Sequence, residues 1–159
     1  MTLALSVFDS VIFLQSLANP EGSAAACWHR VKSGELIHFV SKATLSELAD
    51  VISRPKLMKK LNFDEASAMA LLESVRAFSL HLEPIANAFR YLRDPDDEPI
   101  LNLAIEADAQ FLVTWDKDLL DLMEPENADG QTLKAQAPNL RIVTPPELLR
   151  TLRAAQIPE

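Results

Sequence analysis

Along this chain, short apolar runs alternate with stretches in which apolar residues recur at helical spacing. Residues 3–9 read as a buried strand that stops at Asp9. Residues 12–17 stay apolar and run into a turn at Asn19-Pro20. Residues 21–33 read as a helix halted by Gly34, and 37–40 as a short β-branched strand. Ser41 resembles an N-cap, and residues 43–53 carry Leu45, Leu48 and Ile52 on one side. Pro55 ends that helix, because the residue before a proline leaves helical geometry. Asn62 or Asp64 opens the next helix, through Ala70, Leu71, Val75 and Phe78. Residues 80–82 suggest a strand and 85–92 a further helical piece. Residues 93–99 form a dense acidic helix start, with carboxylates at the positive end of the dipole and prolines in the first turn. Ile100, Leu101, Ala104 and Ile105 mark its buried face. A strand over 110–114 leads into Trp115-Asp116 and a short helix over 117–123, while 124–139 read as a polar loop without pattern. Residues 141–143 are the last strand, and 145–155 the last helix, with Thr144 as N-cap and Pro145 at N1. Strands alternating with helices predict a three-layer α/β/α sandwich, with a parallel or mostly parallel sheet covered on both faces. One domain over 1–159 is expected.

Composition narrows the chemistry. With 3 glycines the chain has no Gly-rich phosphate loop. Cys27 is the single cysteine, which rules out an internal disulfide and suits a reducing cytoplasm; its neighbours Ala24, Ala25, Ala26 and Trp28 mark it as a small buried residue. The apolar start lacks a basic region, is broken by Asp9, Ser10 and Gln15, and is too short and polar to span a bilayer. The net charge of −8 argues against broad nucleic-acid binding, which runs on Lys and Arg contacts to phosphate. One local basic patch exists, Arg54, Lys56, Lys59 and Lys60; it either holds a phosphate backbone or is a solvated junction between helices.

Four acids fall where a strand–helix chain turns: Asp9, Glu47, Asp97 and Asp116. In a parallel sheet those turns share the edge at which open α/β folds place their sites. Crowded carboxylates repel and resist ionising together, and a hard divalent cation such as Mg²⁺ or Mn²⁺ relieves them. The pattern therefore predicts a metal-dependent phosphodiester-cleaving site. Asp97 is singled out because Ile100, Leu101 and Ala104 follow three, four and seven residues on, which puts it on the sheet side; Asp94 and Asp96 read as caps. Glu47 either faces a cleft or closes a capping box with Thr44. Asp118 either ligates or caps, and Thr114 either orients a water or caps. His29, His38 and His81 have no metal-ligand spacing, so zinc is not expected.

Five segments taken together resemble the PIN domain family: Val-Phe-Asp-Ser at 7–10, Ser-Glu-Leu-Ala-Asp-Val-Ile-Ser-Arg-Pro-Lys at 46–56, Arg-Asp-Pro-Asp-Asp at 93–97, Leu-Val-Thr-Trp-Asp-Lys-Asp-Leu-Leu at 112–120 and Ile-Val-Thr-Pro-Pro-Glu-Leu-Leu at 142–149. More narrowly they resemble the VapC-like toxins of prokaryotic toxin–antitoxin pairs. The resemblance implies a Rossmann-like PIN fold and a Mg²⁺- or Mn²⁺-dependent endoribonuclease. It carries the acidic cluster onto Asp9, Glu47, Asp97 and Asp116, with Asp118 as a possible fifth member. It also implies RNA as substrate, a cognate antitoxin and a homodimer. Ser10, Arg54, Lys56, Lys59, Lys60, Thr114 and Trp115 are the candidate RNA contacts. Two positions depart from the family pattern. Val11 stands where an asparagine is usual and cannot make its polar contacts; Trp115 stands where a small residue is usual and can stack on a base or obstruct the groove. A PIN-like module that binds RNA or antitoxin without efficient cleavage is the alternative. A receiver-type phosphoacceptor expects a second acid where Ser10 stands.

Overall fold

In the computed structural model, which describes residues 3–155, five strands form one parallel sheet in the order β3-β2-β1-β4-β5. The strands are β1 (Ala4–Phe8), β2 (Leu36–Val40), β3 (Ser79–His81), β4 (Phe111–Val113) and β5 (Arg141–Val143). From β1 the chain winds outward through β2 to β3, then returns to the other side of β1 for β4 and β5. The direction of winding thus reverses between β1 and β4. At such a switch point the loops leaving adjacent strands diverge and open a crevice outside their carboxyl ends.

Alternation along the strands builds two cores. Phe8, Phe111, Val113 and Val143 face one side; Val7, Leu112 and Ile142 face the other. The first side is covered by α1 (Ser10–Ala18), α2 (Ser23–Lys32), α3 (Lys42–Ile52), α5 (Glu65–Phe78) and α9 (Pro145–Ala155). The second is covered by α6 (Glu98–Glu106), α7 (Lys117–Leu120) and α8 (Ala128–Gln136). A short exposed helix, α4 (Pro55–Leu61), follows α3. This is the three-layer α/β/α sandwich with a parallel sheet that the alternating pattern predicts. No helix among the described residues is long and apolar enough to cross a membrane.

Two stretches differ from the sequence reading. Residues 85–92 form no helix; they run as an irregular strap between β3 and α6, with Phe89 and Tyr91 buried in the second core. Side chains of α6 replace the missing ladder. Asn102 Oδ1 accepts from the Phe89 N–H at 2.8 Å, Asn102 Nδ2 donates to the Phe89 carbonyl at 3.0 Å, and a Glu98 carboxylate oxygen accepts from the Tyr91 N–H at 2.7 Å. The supposed loop over 124–139 contains α8, whose Asn127 cap accepts from the Gly130 N–H at 2.8 Å. Only Gly130 and Leu133 of that helix are buried, so it has no apolar stripe to read. Asn62 closes α4 in the left-handed region at φ 57°, and Asp64 opens α5 by accepting from the Ser67 N–H, which settles the choice between the two.

Candidate metal centre

Each acid reaches the carboxyl edge by a different local device. Asp9 follows β1, and its N–H donates to the Val113 carbonyl of β4 at 3.0 Å, so the strand pairing continues up to the acid. Its carboxylate does not cap α1; it accepts from the Thr114 hydroxyl at 2.8 Å. Thr114 is fully buried, and its oxygen also accepts from the Asp116 N–H at 2.9 Å. One hydroxyl therefore fixes an acid after β1 and the backbone of another after β4. Asp116 Oδ1 accepts from the Asp118 N–H at 2.9 Å, capping α7. Glu47 is free of capping work, because the box at the head of α3 is closed by Ser41 and Thr44. Asp97 is the N-cap of α6 but makes no side-chain cap bond.

The tightest grouping is Asp94, Asp97 and Asp116, each offering a carboxylate oxygen within 4.8 Å of the others. Asp94 was expected only to cap; it does accept from the Asp96 N–H at 3.2 Å, and it also joins this group. Its first turn is a short 3-10 segment, Pro95–Asp97, which brings Asp94 and Asp97 together. Asp9 is close enough to raise the pKa of Asp97, and Glu47 close enough to feel Asp9. Asp118 stands apart in its contacts, since the Arg93 guanidinium holds it and Asp121 in ion pairs.

The electrostatics are those of an acidic pocket short of positive charge. Asp97 is pushed up to about 8, first by burial and then by repulsion from Asp94, Asp116 and Asp9. Asp9 is raised by burial against the counter-effect of the Thr114 hydrogen bond. Glu47 is exposed as a residue, yet the protein around its carboxyl, followed by the Asp9 charge, raises it too. Asp97 Oδ2 is buried and has no hydrogen-bond partner among the described residues. An orphaned buried carboxylate oxygen is costly, and a coordinated cation is its natural partner. The donors are all carboxylate oxygens, which suits Mg²⁺ or Mn²⁺ and not a soft metal.

The other sequence candidates take definite places. Ser10 begins α1 and lowers Asp9 by hydrogen bonding. Val11 packs against the first core, so it does not enter the acid cluster. Trp115 is exposed on the rim. Arg54 pairs with Asp50 at 2.6 Å between α3 and α4 and lowers Glu47, while Lys56, Lys59 and Lys60 lie exposed on α4. A groove of about 640 Å³ lies beside the acids, walled by Lys42 and Ser46 of α3, Glu83 after β3, Asn87 of the strap, Pro95, and Glu98 at the start of α6. Of the histidines, His29 and His81 are exposed and His38 is buried. His38 Nε2 accepts from the Phe8 N–H, so Nδ1 carries the proton and donates to Ser79 Oγ at 2.7 Å. Cys27 is buried, and burial pushes its thiol up to about 12.

A parallel sheet with crowded carboxylates at its switch point defines a class: α/β domains built to hold a divalent cation at the sheet edge. The sequence matches the PIN domain family over residues 6–118, and the chain belongs to that family. PIN domains are in general metal-dependent nucleases, and in this chain Asp94, Asp97 and Asp116 bring carboxylate oxygens close enough together to hold a metal ion. The chain is also similar to an uncharacterized protein of Methanocaldococcus jannaschii, 29% identical over 143 residues that span 90% of this chain and 88% of the relative.

Proposed function

We propose that this protein is a Mg²⁺- or Mn²⁺-dependent endoribonuclease, with Asp9, Asp94, Asp97 and Asp116 as the cation-holding acids and Glu47 completing the cluster. The observation that carries this reading is the buried Asp97 Oδ2, which lacks a donor while two further carboxylates lie within 4.8 Å. A bound divalent cation would acidify water and neutralise charge on a phosphate, which is the chemistry phosphodiester hydrolysis requires. The chain's own residues set the stage. Thr114 keeps Asp9 and the Asp116 backbone in fixed relation, and Asp118 supplies an N–H that orients the Asp116 carboxylate. Burial and the neighbouring carboxylates disfavour the ionised form of Asp97, which a cation held here would favour. Arg93 keeps the Asp118 carboxylate paired, so Asp118 serves as a support and not as a ligand in this arrangement. Arg54 lies near Glu47, and with the exposed Lys56, Lys59 and Lys60 of α4 it would hold flanking phosphates.

The finer reading is a VapC-like toxin of a toxin–antitoxin pair, acting on RNA in the cytoplasm as a homodimer and restrained by a protein antitoxin. It is supported by the five motif segments. Cleavage of RNA with Mg²⁺ or Mn²⁺ that stops with EDTA, and that Asp9→Asn or Asp97→Asn abolishes while circular dichroism stays unchanged, is the expected result. Full activity in either variant, or cleavage indifferent to EDTA, contradicts the proposal. Growth arrest on expression of the wild type but not of Asp97→Asn tests the toxin reading.

A further inference from the structure

Two large apolar side chains stand uncovered on the rim of the acid cluster. Trp115 immediately precedes Asp116 and is 43% exposed; Leu92 lies two residues before Asp94 and is 85% exposed. Neither is on a slack loop. Trp115 follows the fully buried Thr114, whose hydroxyl is engaged on both sides. Leu92 is held by its neighbours: the Tyr91 hydroxyl donates to the Asp118 carbonyl at 2.6 Å, and Arg93 pairs with Asp118 and Asp121. The chain around Leu92 is thus fastened to α7 and the turn after it, and Trp115 lies two residues before α7 begins, with an apolar side chain left exposed at each place. The contrast with Trp28 is informative. Trp28 is buried edge-on against Phe8, Phe13 and His38 and donates to Ser74 Oγ. Among the described residues Trp115 makes no ring contact of that kind.

We propose that Trp115 is a stacking subsite for one unpaired nucleobase of a substrate strand whose phosphate lies at the acids, with the exposed Leu92, two residues before Asp94, as a second apolar contact for that strand. The inference rests on the nuclease reading of the same site and adds how that strand is gripped. An indole one residue from an acid of the cluster sits where a base is expected when its own phosphate is at the acids. In a duplex both faces of a base are already stacked, so only an unpaired base can use it. The chain's net charge of −8 makes phosphate contacts a weak source of affinity, and stacking supplies binding that salt does not screen.

The test uses an oligouridylate carrying a terminal fluorophore and the same strand with one abasic residue walked along it, with the affinity of every variant read from the strand's fluorescence anisotropy and the tryptophan emission of the full chain followed beside it. Trp115→Phe assigns the signal to Trp115 and retains most of the affinity. Trp115→Ala weakens binding roughly 5- to 100-fold and Leu92→Ala less, with little change in thermal midpoint because both side chains are exposed. One abasic position costs the wild type a similar factor and costs Trp115→Ala nothing further. In cleavage the loss falls on KM and leaves kcat in place. Equal affinity of wild type and Trp115→Ala for the intact strand overturns the subsite, as does an abasic penalty that persists in Trp115→Ala. Binding with these effects but no cleavage keeps the subsite and removes the nuclease reading; cleavage without them does the reverse. An emission change produced by an apolar peptide and not by the strand assigns the patch to a protein partner and overturns the proposal.

Discussion

Thr114 is the smallest part of the site on which most else turns. Its hydroxyl donates to Asp9 and accepts from the Asp116 N–H, and it has no room to rotate away because the residue is fully buried. Thr114→Val keeps the shape and removes both bonds. The Thr114 bond lowers Asp9, so its loss raises Asp9 further, and charge-assisted hydrogen bonds of this kind contribute about 1.5–3 kcal/mol. Metal-dependent cleavage by Thr114→Val is expected to fall about tenfold or more, with the rising limb of its pH profile moved to higher pH. An unchanged profile would show that the hydroxyl is only packing. Asp97 carries the opposite lesson. Its folded pKa of about 8 lies above its ordinary value of 3.8, so the metal-free fold loses stability as pH rises through that window. Asp97→Asn removes this loss, and its metal-free thermal midpoint at pH 8 is expected to exceed the wild type's. A lower midpoint would contradict the crowding. Asp97 was legible in the sequence because apolar residues three, four and seven positions on fix the face it occupies. Asp94 was not, because a cap at a helix start and a member of an acid cluster look alike until the 3-10 turn over Pro95–Asp97 is known.

At the scale of elements, side chains do work that the backbone leaves undone. The strap over 85–92 pairs with no strand, and Asn102 of α6 stands in by both accepting from and donating to Phe89. Such a stretch has the apolar spacing of a helix yet forms no regular element, and nothing local in it announces that its partner lies 13 residues later. Asn102→Leu leaves the Phe89 N–H and carbonyl unsatisfied in a buried place and is expected to cost about 2–4 kcal/mol, read as a lower urea midpoint. A cost under about 0.5 kcal/mol would mean that the strap has other anchors. In α3 the Ser41 cap was legible but its reciprocal partner was not: Thr44 closes the box with Ser41 and not with Glu47, which leaves the Glu47 carboxyl to feel the Asp9 charge. α8 was hidden because its residues are polar with no apolar stripe; its Gly130 sits where a Cβ would come within 2.0 Å of the Leu122 carbonyl oxygen, so close approach explains a glycine inside this helix.

Across the whole molecule, strand order converts distant acids into one site. The alternation of strands and helices was enough to predict a parallel three-layer sandwich, since buried strands have no polar face. The reversal between β1 and β4 is a property of topology, and it places Asp9 and Asp116 on the two sides of one crevice. Two groups then pull stability in opposite directions with pH. His38 is buried neutral, its folded pKa lowered from 6.5 to about 3 by desolvation, so its contribution is present above pH 6.5 and is lost as pH falls toward 3. Asp97 contributes in the other sense between 3.8 and about 8. In Asp97→Asn the largest opposing effect is gone, and thermal midpoints are expected to fall more steeply between pH 6.5 and 4 than in the wild type. Parallel curves would show that the two groups do not govern acid stability.

The central claim is that these carboxylates form one cation site, with Asp97 at its heart. Calorimetric titration with Mn²⁺ in buffers of different ionisation enthalpy tests it. The wild type is expected to bind Mn²⁺ with proton release at pH 7, more tightly as pH approaches 8, while Asp97→Asn binds far more weakly and releases no proton. Absence of binding in the wild type, or equal binding and proton release in Asp97→Asn, would contradict the account.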